Sequence, residues 1–220
     1  MNNIERNLFL IKDKIKKTCR LYEQDLKRVN LIAVSKTVDS ARIIQAIDAG
    51  CNIFGENYIK EAQEKWVEIK KNFPQIELHF IGHLQSNKAS EAVALFDVIE
   101  TLDSEKLALA LKKEIVKQQK NPKIFIQVNI GEEEQKGGIL PKDVKNFIDF
   151  AKNEAKLQVV GLMCIPPSNE LASPYFALLA KMAKENNLEK LSMGMSLDFE
   201  DAIALGATEI RLGTAIFGAR

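Results

Sequence analysis

The sequence predicts a single (β/α)8 (TIM) barrel with an extra helix at its N-terminus. Three observations predict it. Short apolar runs alternate with longer amphipathic stretches, eight such runs can be counted, and a helical stretch precedes the first. The 220 residues suit this architecture, which needs about 200 or more as one domain. An open doubly wound sheet is the alternative that the same alternation allows. No linker or low-complexity tract interrupts the pattern, so one domain over residues 1–220 is expected.

The elements follow in order. Ile4, Leu8, Ile11, Ile15, Cys19, Tyr22 and Leu26 recur at three- and four-residue spacings and form one face of the first helix. The predicted strands are residues 31–34, 52–55, 78–81, 97–102, 124–128, 159–165, 190–193 and 209–212. Asp39 is a candidate N-cap for the helix through Ile43, Ile44 and Ile47, and Gly50 can stop it. Ile59, Ala62, Trp66 and Ile69 share the face of the next helix. Further helices cover residues 87–95 and the segment of Leu107, Leu111 and Ile115. Pro141 and Pro174 open two more, at positions where a missing N–H costs little. A short helix over 198–205 ends before Gly206, and only the eighth strand has no clear helix after it.

Composition narrows the function classes. Lys and Arg total 31 against 30 Asp and Glu, a net charge of +1, so no bulk basic excess argues for nucleic acid. No stretch approaches the roughly 20 apolar residues of a membrane span. The first residues mix charged and apolar side chains unlike an export signal. Cys19, Cys51 and Cys164 are odd in number and far apart, which points to reduced thiols and a cytoplasmic protein.

In such a barrel the chemistry gathers at the C-terminal ends of the strands. That rule selects Lys36 after the first strand, Glu56 and Asn57 after the second, and His83, Gln85 and Asn87 after the third. It also selects Gly194 and Ser196 after the seventh, and Gly213 and Thr214 after the eighth. Ser196 just before a helix, Gly213 and the Thr214 hydroxyl form a candidate phosphate cup, placed by this reading opposite Lys36. A lysine at the end of an apolar strand can be desolvated, which lowers its pKa from about 10.4 and frees the amine for imine formation. Glu56 and Asn57 serve equally well as a helix cap or as ligand contacts. Arg211 falls inside the eighth strand, where it either reaches a partner in the mouth or points out between helices. His79 and His83 are four apart but fall on a strand and its loop, with no third histidine, so no metal site is expected. The run Glu132-Glu133-Glu134 reads as a solvated loop.

Several segments together carry a family resemblance. They are Ala33-Val34-Ser35-Lys36-Thr37, Phe54-Gly55-Glu56-Asn57-Tyr58, and the stretch from His79 to Lys88. Further on come Gly161-Leu162-Met163, Leu191-Ser192-Met193-Gly194-Met195-Ser196, and the stretch from Arg211 to Gly218. In this order the chain, from Leu31 to Arg220, closely resembles the pyridoxal phosphate homeostasis protein family. Leu78 stands where that pattern has tryptophan, and Glu100-Thr101-Leu102-Asp103 is a looser version of its segment.

The resemblance implies a fold similar to the alanine racemase barrel domain. It implies pyridoxal 5′-phosphate (PLP) as cofactor, held as a Schiff base on Lys36. Ser196, Gly213 and Thr214 would hold the phosphate, Arg211 would face the pyridine nitrogen, and Asn57 would lie near the ring. A cation at that nitrogen disfavours its protonation and weakens the ring as an electron sink. The expectation is therefore a PLP-binding protein of cofactor homeostasis rather than an enzyme, with no catalytic residue assigned. Its partners would be PLP and PLP-dependent apo-enzymes, with no nucleic acid and no membrane, and a monomer is the simpler expectation. The rivals are an amino-acid racemase of the alanine racemase type using Lys36 as a base, and a Schiff-base aldolase acting on a phosphorylated sugar.

Overall fold

The computed structural model describes residues 2–218. Met1, Ala219 and Arg220, which close the expected domain and the resembling stretch, lie outside the described residues. The strands are β1 (Asn30–Val34), β2 (Ile53–Glu56), β3 (Glu77–Phe80), β4 (Val98–Leu102), β5 (Lys123–Val128), β6 (Val159–Cys164), β7 (Lys190–Ser192) and β8 (Glu209–Leu212). The helices are α1 (Asn3–Leu21), α2 (Ser40–Asp48), α3 (Ile59–Asn72), α4 (Ala89–Leu95), α5 (Glu105–Gln118), α6 (Val144–Asn153), α7 (Ser173–Glu185), α8 (Phe199–Ala204) and α9 (Thr214–Phe217).

All neighbouring strands pair in parallel and the sheet closes in the order β1 to β8, so the open-sheet alternative is excluded. The closing register sets Ala33 beside Leu212. Helices pack on the outside of the strands, among them α6 and α7 on β6, α7 on β7 and α8 on β8. Ala33, Phe54, Leu78, Phe80, Ile99 and Ile126 are buried in the layer between barrel and helices. Phe54 meets the Trp66 ring with centroids 5.0 Å apart.

The elements start and stop for local reasons. Asp39 caps α2 by accepting from the Arg42 N–H, and Gly50 takes φ +81 beyond its end. Pro174 lies in the first turn of α7, and Pro141 opens a 3-10 turn that leads into α6. Three expectations need correction. Residues 86–88 form a 3-10 turn, so the fourth helix begins at Ala89. α1 ends at Leu21 because Glu23 takes φ +54, which leaves Tyr22 and Leu26 half exposed instead of extending the apolar face. The eighth strand does carry a helix, the single turn α9, against which α1 packs.

Inside the barrel the filling is unusual. A small apolar cluster of Val98, Phe125 and Met163 is separate from the main core. The interior also holds buried charge: His79, Glu100, Glu209 and Arg211 are each no more than 4% exposed. Charged groups are rarely buried unless paired. Among the described residues, no helix is long and apolar enough to cross a membrane.

Candidate functional site

Lys36 sits at the tip of a clamped turn. The backbone turns from Ser35 to Val38, closed by the Val38 N–H donating to Ser35 O at 3.0 Å. Lys36 and Thr37 are its central residues. Thr37 takes φ +61, a strained conformation for a β-branched residue. α3 supports that strain from outside. Glu61 accepts the Thr37 N–H, and the Lys65 ammonium donates to Ser35 O at 2.9 Å.

Beneath the turn lies Glu56, fully buried. Its Oε1 accepts from Ser35 Oγ at 2.7 Å and from Trp66 Nε1 at 2.9 Å, and Lys65 lies 2.8 Å away. Glu56 therefore anchors the lysine turn. It does not cap α3, whose start has no side-chain cap.

Of the candidate phosphate cup, Ser196 and Thr214 are brought into contact. The Thr214 hydroxyl donates to Ser196 Oγ at 3.2 Å, so the loops after β7 and β8 meet. Gly194 permits this meeting with φ +90, and a Cβ there would stand 2.5 Å from Ala202 Cβ. Gly213 lies against β1: a Cβ on it would stand 3.4 Å from Val34 O. This corrects the expected placement. Because β8 closes on β1, Gly213 and Thr214 stand beside the lysine turn, not opposite it.

Asn57 is half-buried just past β2, and its Oδ1 is buried without a hydrogen-bond partner. An unpaired buried amide oxygen costs about 1–3 kcal/mol unless a ligand or water supplies a donor. Its backbone is pinned by Gly82, where a Cβ would fall 2.1 Å from Asn57 O. Gly82→Ala is expected to push the Asn57 backbone aside and cost about 1–3 kcal/mol of stability. Urea unfolding checks this, and wild-type stability in the variant would refute the contact.

Arg211 points into the barrel. Its Nη1 donates to Ser192 Oγ at 2.6 Å and its Nη2 to Cys164 O at 2.9 Å. Ser192 Oγ donates to Glu100 Oε2. Glu100 Oε1 meets His79 Nδ1 at 2.6 Å, and His79 Nε2 meets Glu77 Oε1 at 3.0 Å. Lys123 pairs with Glu77 at 2.7 Å. A second cluster at the same end joins Glu209 to Lys190 and Asn30.

Burial alone pushes the His79 imidazole down, but hydrogen bonds to Glu100 and Glu77 and the charges of Glu100 and Glu209 reverse this and raise it to about 9. The hydrogen bond from His79, working against burial, holds Glu77 at about 2. Glu100, despite full burial, is held below the usual carboxylate range by His79 and Arg211. Burial raises the Glu209 carboxyl.

Both histidines are thus occupied by carboxylates: His79 as above, and exposed His83 at 3.6 Å from Asp103. Gln85 and Asn87, also selected after the third strand, are exposed. In the loop after β5, Glu132 and Glu134 are exposed, but Glu133 is half-buried and its N–H is capped by Asn129. Burial lifts the Cys51 and Cys164 thiols to about 11 and 12, so neither is a nucleophile near neutral pH.

The sequence rules missed Glu100, Ser192, Lys65 and Trp66 as partners of the site. For Glu100 a signal existed, since an acidic residue inside an apolar strand is as anomalous as Arg211 inside β8.

The family model described as "Alanine racemase, N-terminal domain" matches residues 11–220. The chain is 38% identical to a pyridoxal phosphate homeostasis protein of Haemophilus influenzae, over 99% of this chain and 96% of that one. It is similar to the structure of PipY of Synechococcus elongatus with PLP bound, with TM-score 0.79 and 36% identity, over 93% of this chain and 100% of that chain. It shares its fold with an alanine racemase of Clostridium difficile at TM-score 0.72 and 12% identity, covering 99% of this chain and 57% of that one.

Proposed function

Because the chain belongs to the pyridoxal phosphate homeostasis protein family, within the alanine racemase N-terminal domain family, we propose that it binds PLP at the barrel mouth and serves cofactor homeostasis. In this reading Lys36 holds the cofactor as a Schiff base. The single observation that carries the reading is the junction of three loops. The strained lysine turn after β1 lies beside Gly213 and Thr214 after β8, and Thr214 contacts Ser196 after β7.

The donor set fits such a ligand. Two hydroxyls and a glycine-lined backbone suit a phosphate dianion. The unpartnered Asn57 Oδ1 offers an acceptor near the proposed ring. When bound, the cofactor supplies an electrophilic aldehyde and a ring able to draw electrons from a carbanion.

The chain's own residues restrain the second property. Arg211 can only donate, and it is fixed by Ser192 and Cys164 O. A ring nitrogen facing it meets a donor and is kept unprotonated, which weakens the electron sink. We therefore read the protein as a cytoplasmic carrier and buffer of PLP without catalytic turnover. It would shield the cell from free aldehyde and hand the cofactor to PLP-dependent apo-enzymes. We take it as a monomer with one domain over residues 1–220.

The test is the absorption spectrum of purified protein with PLP, wild type beside Lys36→Ala. The expected result is a near-visible band in wild type, altered by borohydride and lost in Lys36→Ala. An unchanged band in the variant would place the attachment elsewhere. Enzyme-like racemisation of a common amino acid by the loaded protein would overturn the carrier reading.

A further inference from the structure

Glu100 Oε2 and Arg211 Nη1 lie 4.0 Å apart inside the barrel, and among the described residues no direct hydrogen bond joins them. The guanidinium instead donates to Ser192 Oγ and to Cys164 O, at the C-terminal end of β6. The direction of each hydrogen bond is then forced. Arginine can only donate, so the one Ser192 hydroxyl proton must go to Glu100 Oε2. Glu100, held as a carboxylate, must take its other close contact, His79 Nδ1, as a donor. Glu77 already accepts from Lys123, so His79 Nε2 donates as well. With both ring nitrogens donating, His79 is an imidazolium.

The result is one polarised chain. It runs from Lys123 and Glu77, the first residues of β5 and β3, through His79, Glu100 and Ser192 to Arg211 at the mouth. The other charged groups near it are Glu209 and Lys190, on β8 and β7, which pair with each other at 2.7 Å.

We propose that His79 is a positioning residue for Arg211. By holding Glu100, it keeps this carboxylate from closing the 4.0 Å gap to the guanidinium, and so leaves the Arg211 charge directed at the mouth. This rests on the reading that PLP on Lys36 turns its ring nitrogen toward Arg211. Without the imidazolium, Glu100 swings onto Arg211, the cation is neutralised, and the ring nitrogen can take up a proton. The histidine thus tunes the cofactor's ring from the far side of Glu100, Ser192 and Arg211.

The experiment uses PLP labelled with 15N in the ring, bound to wild type, to His79→Gln and to the double variant His79→Gln/Glu100→Gln. In wild type the ring nitrogen should resonate as unprotonated pyridine. In His79→Gln it should move upfield toward the pyridinium range. In the double variant, which removes the carboxylate as well, it should return toward the wild-type position. A purely structural role for His79 would make the double variant worse, not restored.

An unmoved resonance in His79→Gln, or no return in the double variant, overturns the inference. Should the variants fail to fold, the apo wild type decides: both His79 ring nitrogens must be protonated at pH 8 by 15N spectroscopy, and a neutral ring overturns the proposal. Wild type that binds PLP on Lys36 but carries a protonated ring nitrogen overturns this inference alone. Wild type that takes up no PLP overturns the underlying reading.

Discussion

Glu100→Ala is expected to cost about 3–5 kcal/mol of folding stability, because it deletes one partner of a buried charge network. Glu100 is 0% exposed and is the shared acceptor for His79 and Ser192, with Arg211 close by. Its removal leaves two buried cations facing each other across a vacated position. Relaxation is restricted because Arg211 is tied to Cys164 O and His79 to Glu77. Glu100→Gln keeps the shape and one acceptor, and should cost less. Urea denaturation with linear extrapolation measures both. A loss below about 1 kcal/mol for the alanine variant would show that the network does not hold as described.

Stability should fall as pH rises from 6.5 through 9, by about 3 kcal/mol, through the titration of His79. The sign follows from the shift. The folded-state value is raised to about 9 from 6.5, so the contribution is fully present below 6.5 and is lost as pH climbs through about 9. For a chain of this size, each kcal/mol corresponds to roughly 2–4 °C, so Tm should drop by about 6–12 °C across that interval. On the acid side Glu77 acts in the opposite sense. Its value is lowered from 4.5 to about 2, so its contribution is present above 4.5 and is lost as pH falls toward 2. The two groups share a hydrogen bond and titrate as a coupled set. Thermal scans of wild type and His79→Gln at pH 6.5 and 9.5 check the alkaline limb. The wild type should lose Tm and the variant should not. Equal slopes in the two proteins would assign the pH dependence elsewhere.

The barrel was legible in the sequence for a physical reason. Parallel strands buried on both faces read as short apolar runs, and parallel pairing demands a helix between them. The strand ends select Lys36, Asn57, Ser196, Gly213 and Thr214 as candidates for the mouth. Two of these residues, Thr214 and Ser196, are in contact.

Other features depend on long-range closure, which local pattern does not encode. Alternation places Arg211 on one face of β8, but a strand buried on both sides does not say which face is the interior. Its partners come from β4, β6 and β7 and are distant in sequence. The placement of the cup opposite Lys36 ignored the closure of β8 on β1. The helical spacing of Tyr22 and Leu26 was genuine, yet Glu23 at φ +54 breaks the helix before either can pack. Four residues of α9 are too few to show a period. Glu56 looked like a cap or a ligand contact because it follows an apolar strand. Only the fold brings Ser35, Lys65 and Trp66 to it.

In the proposed function the strained turn at Ser35–Val38 presents Lys36 to PLP. The most direct measurement is borohydride reduction of the PLP-loaded protein, followed by proteolysis and mass spectrometry of the peptides. One reduced pyridoxyl-phosphate adduct is expected, on the peptide that contains Lys36. An adduct confined to another lysine, with the Lys36 peptide unmodified, would contradict it.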